Sequence, residues 1–193
     1  MNDFEEKMVE ELYRNEPTTK LVRIIDYLEK EILPTHLLAN NIIFVKHGVL
    51  HTEVKVDNEF CIFNFIQSGE VFYPNHLDEI EERQVVVDCD TTLIILNYEF
   101  FLNYATMKPP YMKWLLEKTN LHLQKVLYES TKQKDQDAIM MNLDYIHDIL
   151  EQEGQDSDMA LFDLFTKRKL ASYCGVSRST FYTKLKDLEE AVG

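Results

Sequence analysis

Hydrophobic positions follow three successive periods along the chain. Within residues 1–32 they recur every three or four positions among charged residues, which predicts two amphipathic helices separated at Pro17. From Asn41 they alternate with polar residues and are rich in Val, Ile and Phe, a pattern typical of half-buried strands. Beyond Phe101 the helical period returns. This order of N-terminal helices, strands and further helices predicts an α+β fold.

Turn-forming residues divide the alternating region at roughly ten-residue spacing. They are Gly48, Asp57-Asn58, Ser68-Gly69 and the run from Asp88 to Thr91. This punctuation predicts an antiparallel structure of about five to seven strands, of the sandwich or barrel type. Alternating aromatic residues on such strands favour a core, and the alternative is that they line a ligand pocket. The aromatic residues concerned are Phe44, Phe60, Phe63, Phe65, Phe72 and Tyr73.

The first long helix after the strands is predicted to begin at Pro109 and Pro110, which a first helical turn tolerates. Six of its positions step by four and three, the spacing of a coiled-coil seam. They are Met112, Leu116, Thr119, Leu123, Val126 and Ser130, of which the first five are the predicted dimer interface. Leu115, Leu121 and Leu127 lie beside this seam and are expected to face the β domain. The alternative is one helix buried in a single core.

Three shorter segments follow the long helix. The polar segment 130–137 is predicted to be a hinge or an exposed helical turn, and the next helix is predicted to end at Gly154. The stretch MALFDLF predicts one short strand. The domains are therefore expected to be 1–108 for the N-terminal helices and strands, 109–136 for the dimerisation helix and 137–193 for the last domain.

Charge is strongly segregated along the chain. The formal net charge is −14, yet the segment 166–186 contains six bases and no acid, which leaves the other 172 residues with 14 bases against 34 acids. A local basic face attracts a polyanion even when the whole-protein field repels one. The pattern indicates that this segment contacts nucleic acid.

The same segment has the residues of a helix-turn-helix. Thr166 suits an N-cap, Gly175 suits the tight turn, and Ser177 suits the cap of a second helix. The residues predicted to pack inward are Leu170, Ala171, Cys174, Phe181, Leu185 and Leu188. The candidate DNA-binding residues are Lys167, Arg168, Lys169, Ser177, Arg178, Ser179, Tyr182, Thr183, Lys184 and Lys186. The alternative is a pair of bundle helices that binds nothing.

The whole order of elements resembles the Crp/Fnr family of bacterial transcription regulators. The resemblance covers roughly residues 30–190; it is specific in FTKRKLASYCGVSRSTFYTKLKDLEE and weaker in NNIIFVKHGVLHTEV and IQSGEVF. It implies an antiparallel β-roll of the double-stranded β-helix or jelly-roll type, a homodimer joined along the long helix, binding to a two-fold double-stranded DNA operator, and contact with RNA polymerase. The sequence does not identify an effector.

One departure from the family concerns cyclic nucleotides. Members that bind them have a Gly-Glu pair followed by an Arg-Ser or Arg-Thr that holds the phosphate. Here Tyr73 and Pro74 stand at the first pair, and Arg83 is followed by Gln84. A phosphate in this region would also meet four acids, Asp78, Glu79, Glu81 and Glu82. We therefore predict no control by cyclic nucleotide.

Two further departures concern the helix-turn-helix. Arg178 stands where the family places a DNA-contacting residue, but Ser179 and Thr183 replace the Glu and Arg often found there, so the family's usual operator is not expected. The predicted elements also lack the β-hairpin wing, through natural loss or truncation. GVSRSTFYTKL also resembles the wingless Fis-type helix-turn-helix.

Other chemistries find little support in the sequence. The three cysteines and six histidines are scattered; His47 and His51 alone share a predicted strand face, so no cofactor or metal site is predicted. No P-loop or G-x-S-x-G motif is present, and an enzyme is not expected. The acidic N-terminus and the absence of a long apolar run favour a cytoplasmic protein. The rival interpretation is a small-ligand sensor or protein-interaction module whose helix-turn-helix does not bind DNA.

Overall fold

A computed structural model of the chain describes residues 1–73, 82–131, 138–154 and 161–192. Within them, seven strands form two antiparallel sheets that pack into a β-roll. The strands are β1 (Val22–Tyr27), β2 (Asn41–His47), β3 (Val49–Val56), β4 (Glu59–Gln67), β5 (Val71–Phe72), β6 (Arg83–Val87) and β7 (Thr91–Asn97). One sheet has the order β1-β7-β2-β5, and the other has the order β4-β3-β6.

Helices precede, interrupt and follow the roll. They are α1 (Asp3–Asn15), α2 (Thr35–Leu38), α3 (Tyr98–Met107), α4 (Pro109–Thr131), α5 (Ala138–Gln152), α6 (Leu161–Leu164), α7 (Lys167–Tyr173) and α8 (Arg178–Val192). A capping box opens α1: the Asn2 side chain accepts from the Glu5 backbone N–H, and the Glu5 carboxylate accepts from the Asn2 N–H. Glu5 also accepts from Trp114 Nε1 at 3.1 Å, which holds α1 against α4.

The turns predicted from the sequence are confirmed by the backbone. Asp57 and Asn58 both have positive φ, +50° and +66°, as a two-residue hairpin turn requires. Gly48 turns between β2 and β3 at φ +104°, and a Cβ there would overlap the Thr91 side chain, so no other residue fits without rearrangement. Gly154 ends α5 with φ +87°, as predicted.

The second predicted N-terminal helix is wrong. Residues 22–27 form β1, which pairs antiparallel with β7 from Val22 opposite Leu96 to Tyr27 opposite Thr91. β7 is an apolar central strand that needs a hydrogen-bonded neighbour on both sides, and β1 supplies one of them. The β-branched Val22, Ile24 and Ile25 suit a strand better than a helix.

The predicted strand at MALFDLF is also wrong where it is described, because Leu161–Leu164 form the short helix α6. A short segment rich in apolar residues does not by its periodicity distinguish a strand from a helical turn. The hinge predicted at 130–137 lies outside the described residues from 132 to 137. Pro74, Asp78, Glu79 and Glu81 also lie outside the described residues, as does the side chain of Leu188.

Helices α7 and α8, the predicted helix-turn-helix, pack directly on the roll. Phe65, Val49 and Ile62 of the roll share one buried cluster with Ile146 of α5 and Leu170 of α7. A second cluster joins α1, α3 and the start of α4 to β1, β2 and β7, and a third fills the roll itself. The roll, α5 and the helix-turn-helix therefore share one apolar core.

Candidate functional site

The turn and caps of the helix-turn-helix are formed as the sequence predicts. The Thr166 side chain accepts from the Lys169 N–H at the start of α7, and Ser177 Oγ accepts from the Thr180 N–H at the start of α8. Gly175 takes φ +67° between the two helices. Among the residues predicted to pack inward, Leu170, Ala171, Cys174 and Phe181 are buried and Leu185 is partly buried against them.

One face of α8 is exposed and polar. Its residues are Arg178, Ser179, Tyr182, Thr183 and Lys186, all exposed, with Lys184 half-buried beside them. Successive residues turn by about 100°, so these five occupy a single arc of the helix. Lys167 of α7 lies over the Tyr182 ring at 5.3 Å, a cation–π contact that ties the two helices. Three of the candidate polar side chains are engaged locally: Ser177 Oγ caps α8 and lies 2.9 Å from Ser179 Oγ, and Thr183 Oγ1 donates to the Ser179 carbonyl.

Acids of the roll pair with three of the six bases, an arrangement that sequence reasoning missed. Glu59, the first residue of β4, pairs with Arg168 of α7 and lies 3.4 Å from Arg178 of α8. Glu53 of β3 pairs with Lys169 of α7. The sequence carries no local signal for these pairs because each joins residues more than 100 positions apart.

A buried charged cluster lies behind the Lys169 pair. His51 Nδ1 is 2.6 Å from Asp88 Oδ1, and His51 Nε2 is 3.0 Å from Glu53 Oε1. Burial opposes the charge on His51, but Asp88 and Glu53 outweigh it and raise the His51 pKa to about 9. Burial likewise opposes the charge on Glu53, and hydrogen bonds from His51, Lys169 and Gln84 lower its pKa to about 2. Glu53 is thus a fully buried carboxylate that the helix-turn-helix helps to neutralise.

The outward face of α4 carries largely exposed apolar side chains, of which Leu123 also borders the cavity between the roll and α4. Leu116, Leu123 and Leu127 are more than half exposed, although the opposite face, with Trp114 and Leu115, is buried. Seven residues make about two turns and eleven about three, so these three leucines lie in one stripe. Monomeric proteins rarely leave such a stripe uncovered. Of the other predicted seam residues, Met112, Thr119 and Val126 flank it and are half-buried, and the side chain of Ser130 lies outside the described residues.

The prediction that three leucines of α4 face the roll is wrong for two of them. Leu115 is buried as expected, but Leu121 is 62% exposed and Leu127 is 54% exposed. Leu127 belongs to the outward stripe because it lies three turns after Leu116, and Leu121 lies on a separate side of the helix.

A cavity of about 620 Å³ opens between the roll and α4. Its wall includes Phe60, Phe63, Phe72 and Tyr73, together with the polar and charged side chains of Thr52, Asn64, Glu82, Arg83, Gln84 and His122. Those four aromatic residues lie on the cavity wall, although Phe72 is also buried in the core of the roll. Phe44 and Phe65 are fully buried core residues, as the core interpretation predicts.

Groups that could bind metal or react are few among the described residues. His47 ends β2 and His51 lies on β3, so the shared strand face predicted for them is wrong because Gly48 separates them. His147, Asp148 and Glu151 bring ligand atoms within 4.8 Å, but all three lie on the mostly exposed surface of one helix. The three cysteines are unbridged, and burial raises the pKa of Cys89 to about 11. None of the described helices has the length and apolar character needed to span a bilayer.

Comparison with known proteins gives a fold and no sequence relative. No protein-family model matches the chain, and no curated protein matches its sequence. A cyclic nucleotide-binding domain containing protein from Listeria monocytogenes EGD-e is similar in structure, with a TM-score of 0.66 and 17% identity over 96% of this chain and 90% of the other.

Two regulators are also similar in structure, each with the same TM-score. The c-di-GMP responsive global regulator CLP of Xanthomonas campestris has a TM-score of 0.63 and 15% identity, over 96% of this chain and 92% of its own. A transcriptional regulator of the CRP/FNR family from Thermus thermophilus has a TM-score of 0.63 and 13% identity, over 88% of this chain and 87% of its own. The chain therefore has the fold of Crp/Fnr family regulators and cyclic nucleotide-binding domain proteins.

Proposed function

We propose that this protein is a homodimeric, sequence-specific DNA-binding transcription regulator of the Crp/Fnr type that is not controlled by cyclic nucleotide. The observation that carries the proposal is the helix-turn-helix of α7 and α8, which presents an exposed polar arc with Arg178 at its start and Lys186 two turns later. A helix of this kind enters the major groove with its N-terminal residues against base edges. Its cations suit phosphates and guanine.

The outward stripe of α4 supports the homodimer. Three leucines more than half exposed on one side of a 23-residue helix match the seam of a two-stranded contact. A second copy of the chain covers this stripe in the proposed dimer. Two helix-turn-helix units are then presented together, which suits a site of two symmetric halves.

Selection of genomic DNA fragments by the purified protein tests the proposal. We expect recovery of a two-fold symmetric site whose affinity falls steeply between low and moderate salt, because phosphate contacts release counterions. Recovery of fragments with no shared site, or with no salt dependence, would count against a sequence-specific regulator. Contact with RNA polymerase is part of the same proposal and follows only if such a site is found near promoters.

Replacement of Arg178 by alanine is expected to weaken specific DNA binding by roughly 1–3 kcal/mol, since the side chain leads the exposed arc of α8. Arg14→Ala on α1 is the matched control, because it removes the same charge from an exposed arginine remote from α8. Titration of labelled operator at fixed salt gives both affinities. Equal affinity of the Arg178 variant and the parent refutes the assigned role.

Cyclic AMP is expected to bind no more tightly than millimolar to the cavity beside α4. The cavity wall carries Glu82 beside Arg83, so an anionic phosphate gains little net attraction there. Isothermal titration with cyclic AMP checks this, and a micromolar dissociation constant would contradict it. The aromatic wall instead suits an apolar or aromatic effector of unidentified structure.

A second candidate function is favoured by one specific observation. Half of the six bases already pair with acids of the roll, an arrangement expected of a ligand sensor whose helix-turn-helix no longer binds DNA. This candidate predicts binding of a small molecule in the cavity with no DNA affinity at any salt. A thermal-shift screen of small ligands beside the DNA selection distinguishes the two functions. We propose that the protein is not an enzyme.

A further inference from the structure

We propose that Glu59 and Glu53 of the roll form a latch that competes with DNA for the basic residues of the helix-turn-helix. In this structure the latch is closed. The inference rests on the proposed function, since it concerns the regulation of the same DNA-binding surface. It assigns an inhibitory role to two roll carboxylates that the fold alone does not require.

The outer point of the latch is Glu59. This residue begins β4, directly after the hairpin turn at Asp57-Asn58, and its carboxylate meets cations from both helices of the motif. Arg168 comes from α7 and Arg178 comes from α8. One carboxylate thus engages the two arginines closest to the turn of the helix-turn-helix.

The inner point of the latch is Glu53. Its side chain is completely buried, and Lys169 reaches it from α7 while His51 and Gln84 hold it from the roll. Removal of Lys169 would leave Glu53 and Asp88 with one imidazolium between them. A buried carboxylate that loses a charge partner is costly, so the inner point holds α7 on the roll.

Closure of the latch is incompatible with full use of the basic surface. A phosphate brought to Arg178 would approach the Glu59 carboxylate that already lies 3.4 Å from its guanidinium, and like charges repel. The roll also covers the side of α7 that packs on β4 through Leu170 and Ala171. Only molecules with an open latch therefore bind DNA fully. The apparent affinity equals the affinity of the open form multiplied by the fraction of molecules that are open.

The charge-removing variant Glu59→Gln tests the latch. We expect about three- to tenfold tighter DNA binding, because two partly exposed ion pairs are lost from the closed form only. Asp26→Asn is the matched control: it removes the same charge from an exposed position of the roll, and its hydrogen-bond partner is Thr92 of β7. Equal DNA affinity of the Glu59 variant and the control overturns the latch.

A second measurement needs no DNA. Hydrogen exchange of the α7 and α8 backbone is expected to accelerate in Glu59→Gln, because opening exposes these helices more often, and to stay unchanged in Asp26→Asn. If neither the parent nor the variants bind DNA, the proposed function fails and this measurement alone decides the latch. Unchanged exchange in Glu59→Gln then rejects it, and faster exchange supports a latch between roll and helix-turn-helix.

Discussion

Replacement of Leu116 by aspartate is expected to convert the proposed dimer to a monomer and to weaken binding to the proposed operator on the order of 10²- to 10⁴-fold. Leu116 is the first leucine of the outward stripe of α4, two turns before Leu123. In the dimer, a carboxylate at this position would be buried against the same carboxylate of the second copy. Burial would desolvate both charges and bring two like charges close together. Loss of the dimer leaves each helix-turn-helix to find its half-site alone.

Leu121→Asp is the matched control for this prediction. Leu121 and Leu116 are equally exposed, at 62%, and lie on the same helix, but Leu121 points to a different side. Sedimentation velocity gives the oligomeric state of each variant, and operator titration gives its affinity. A monomer formed by both variants, or by neither, would place the dimer contact elsewhere. Far-UV circular dichroism of the Leu116 variant shows whether α4 itself remains folded.

Local signals explain what the sequence could predict. The turns at Gly48 and Asp57-Asn58, the cap at Thr166 and the tight turn at Gly175 each depend on a few adjacent residues. Conformational preference at these positions is strong enough to act before any tertiary contact forms. The two helices α7 and α8 and the turn between them were therefore located from the sequence.

Long-range contacts explain what the sequence could not predict. Val22 to Tyr27 form a strand because β7 lies beside them, and β7 is about 70 residues away. The ion pairs made by the roll acids also depend on tertiary packing and could not be predicted, since Glu59 contacts Arg168 only once the helix-turn-helix packs on β4. Periodicity on α4 located its apolar positions, but only the position of the roll shows that Leu127 faces outward.

Replacement of Phe181 by alanine is expected to destabilise the protein by about 3–5 kcal/mol. The ring is fully buried and is among the largest buried side chains of the chain, so its loss leaves a cavity that the short helices α7 and α8 fill poorly. Tyr182→Ala is the matched control because it removes a neighbouring ring that is 50% exposed. Urea unfolding of both variants measures the difference, and similar midpoints for the two would show that Phe181 does not hold the motif.

Because α7 and α8 share a core with the roll, we also expect them to unfold in the same transition as the roll. Phe181 belongs to the same buried cluster as Val49 and Phe65 of the roll and Ile146 of α5. A cavity in this cluster therefore weakens contacts on both sides of the junction, and Phe181→Ala is expected to lower one common transition. An early separate transition of the C-terminal helices, seen by hydrogen exchange while the roll stays protected, would mean that the motif folds as an independent unit. That outcome would also imply that docking on the roll contributes little to the stability of the helix-turn-helix.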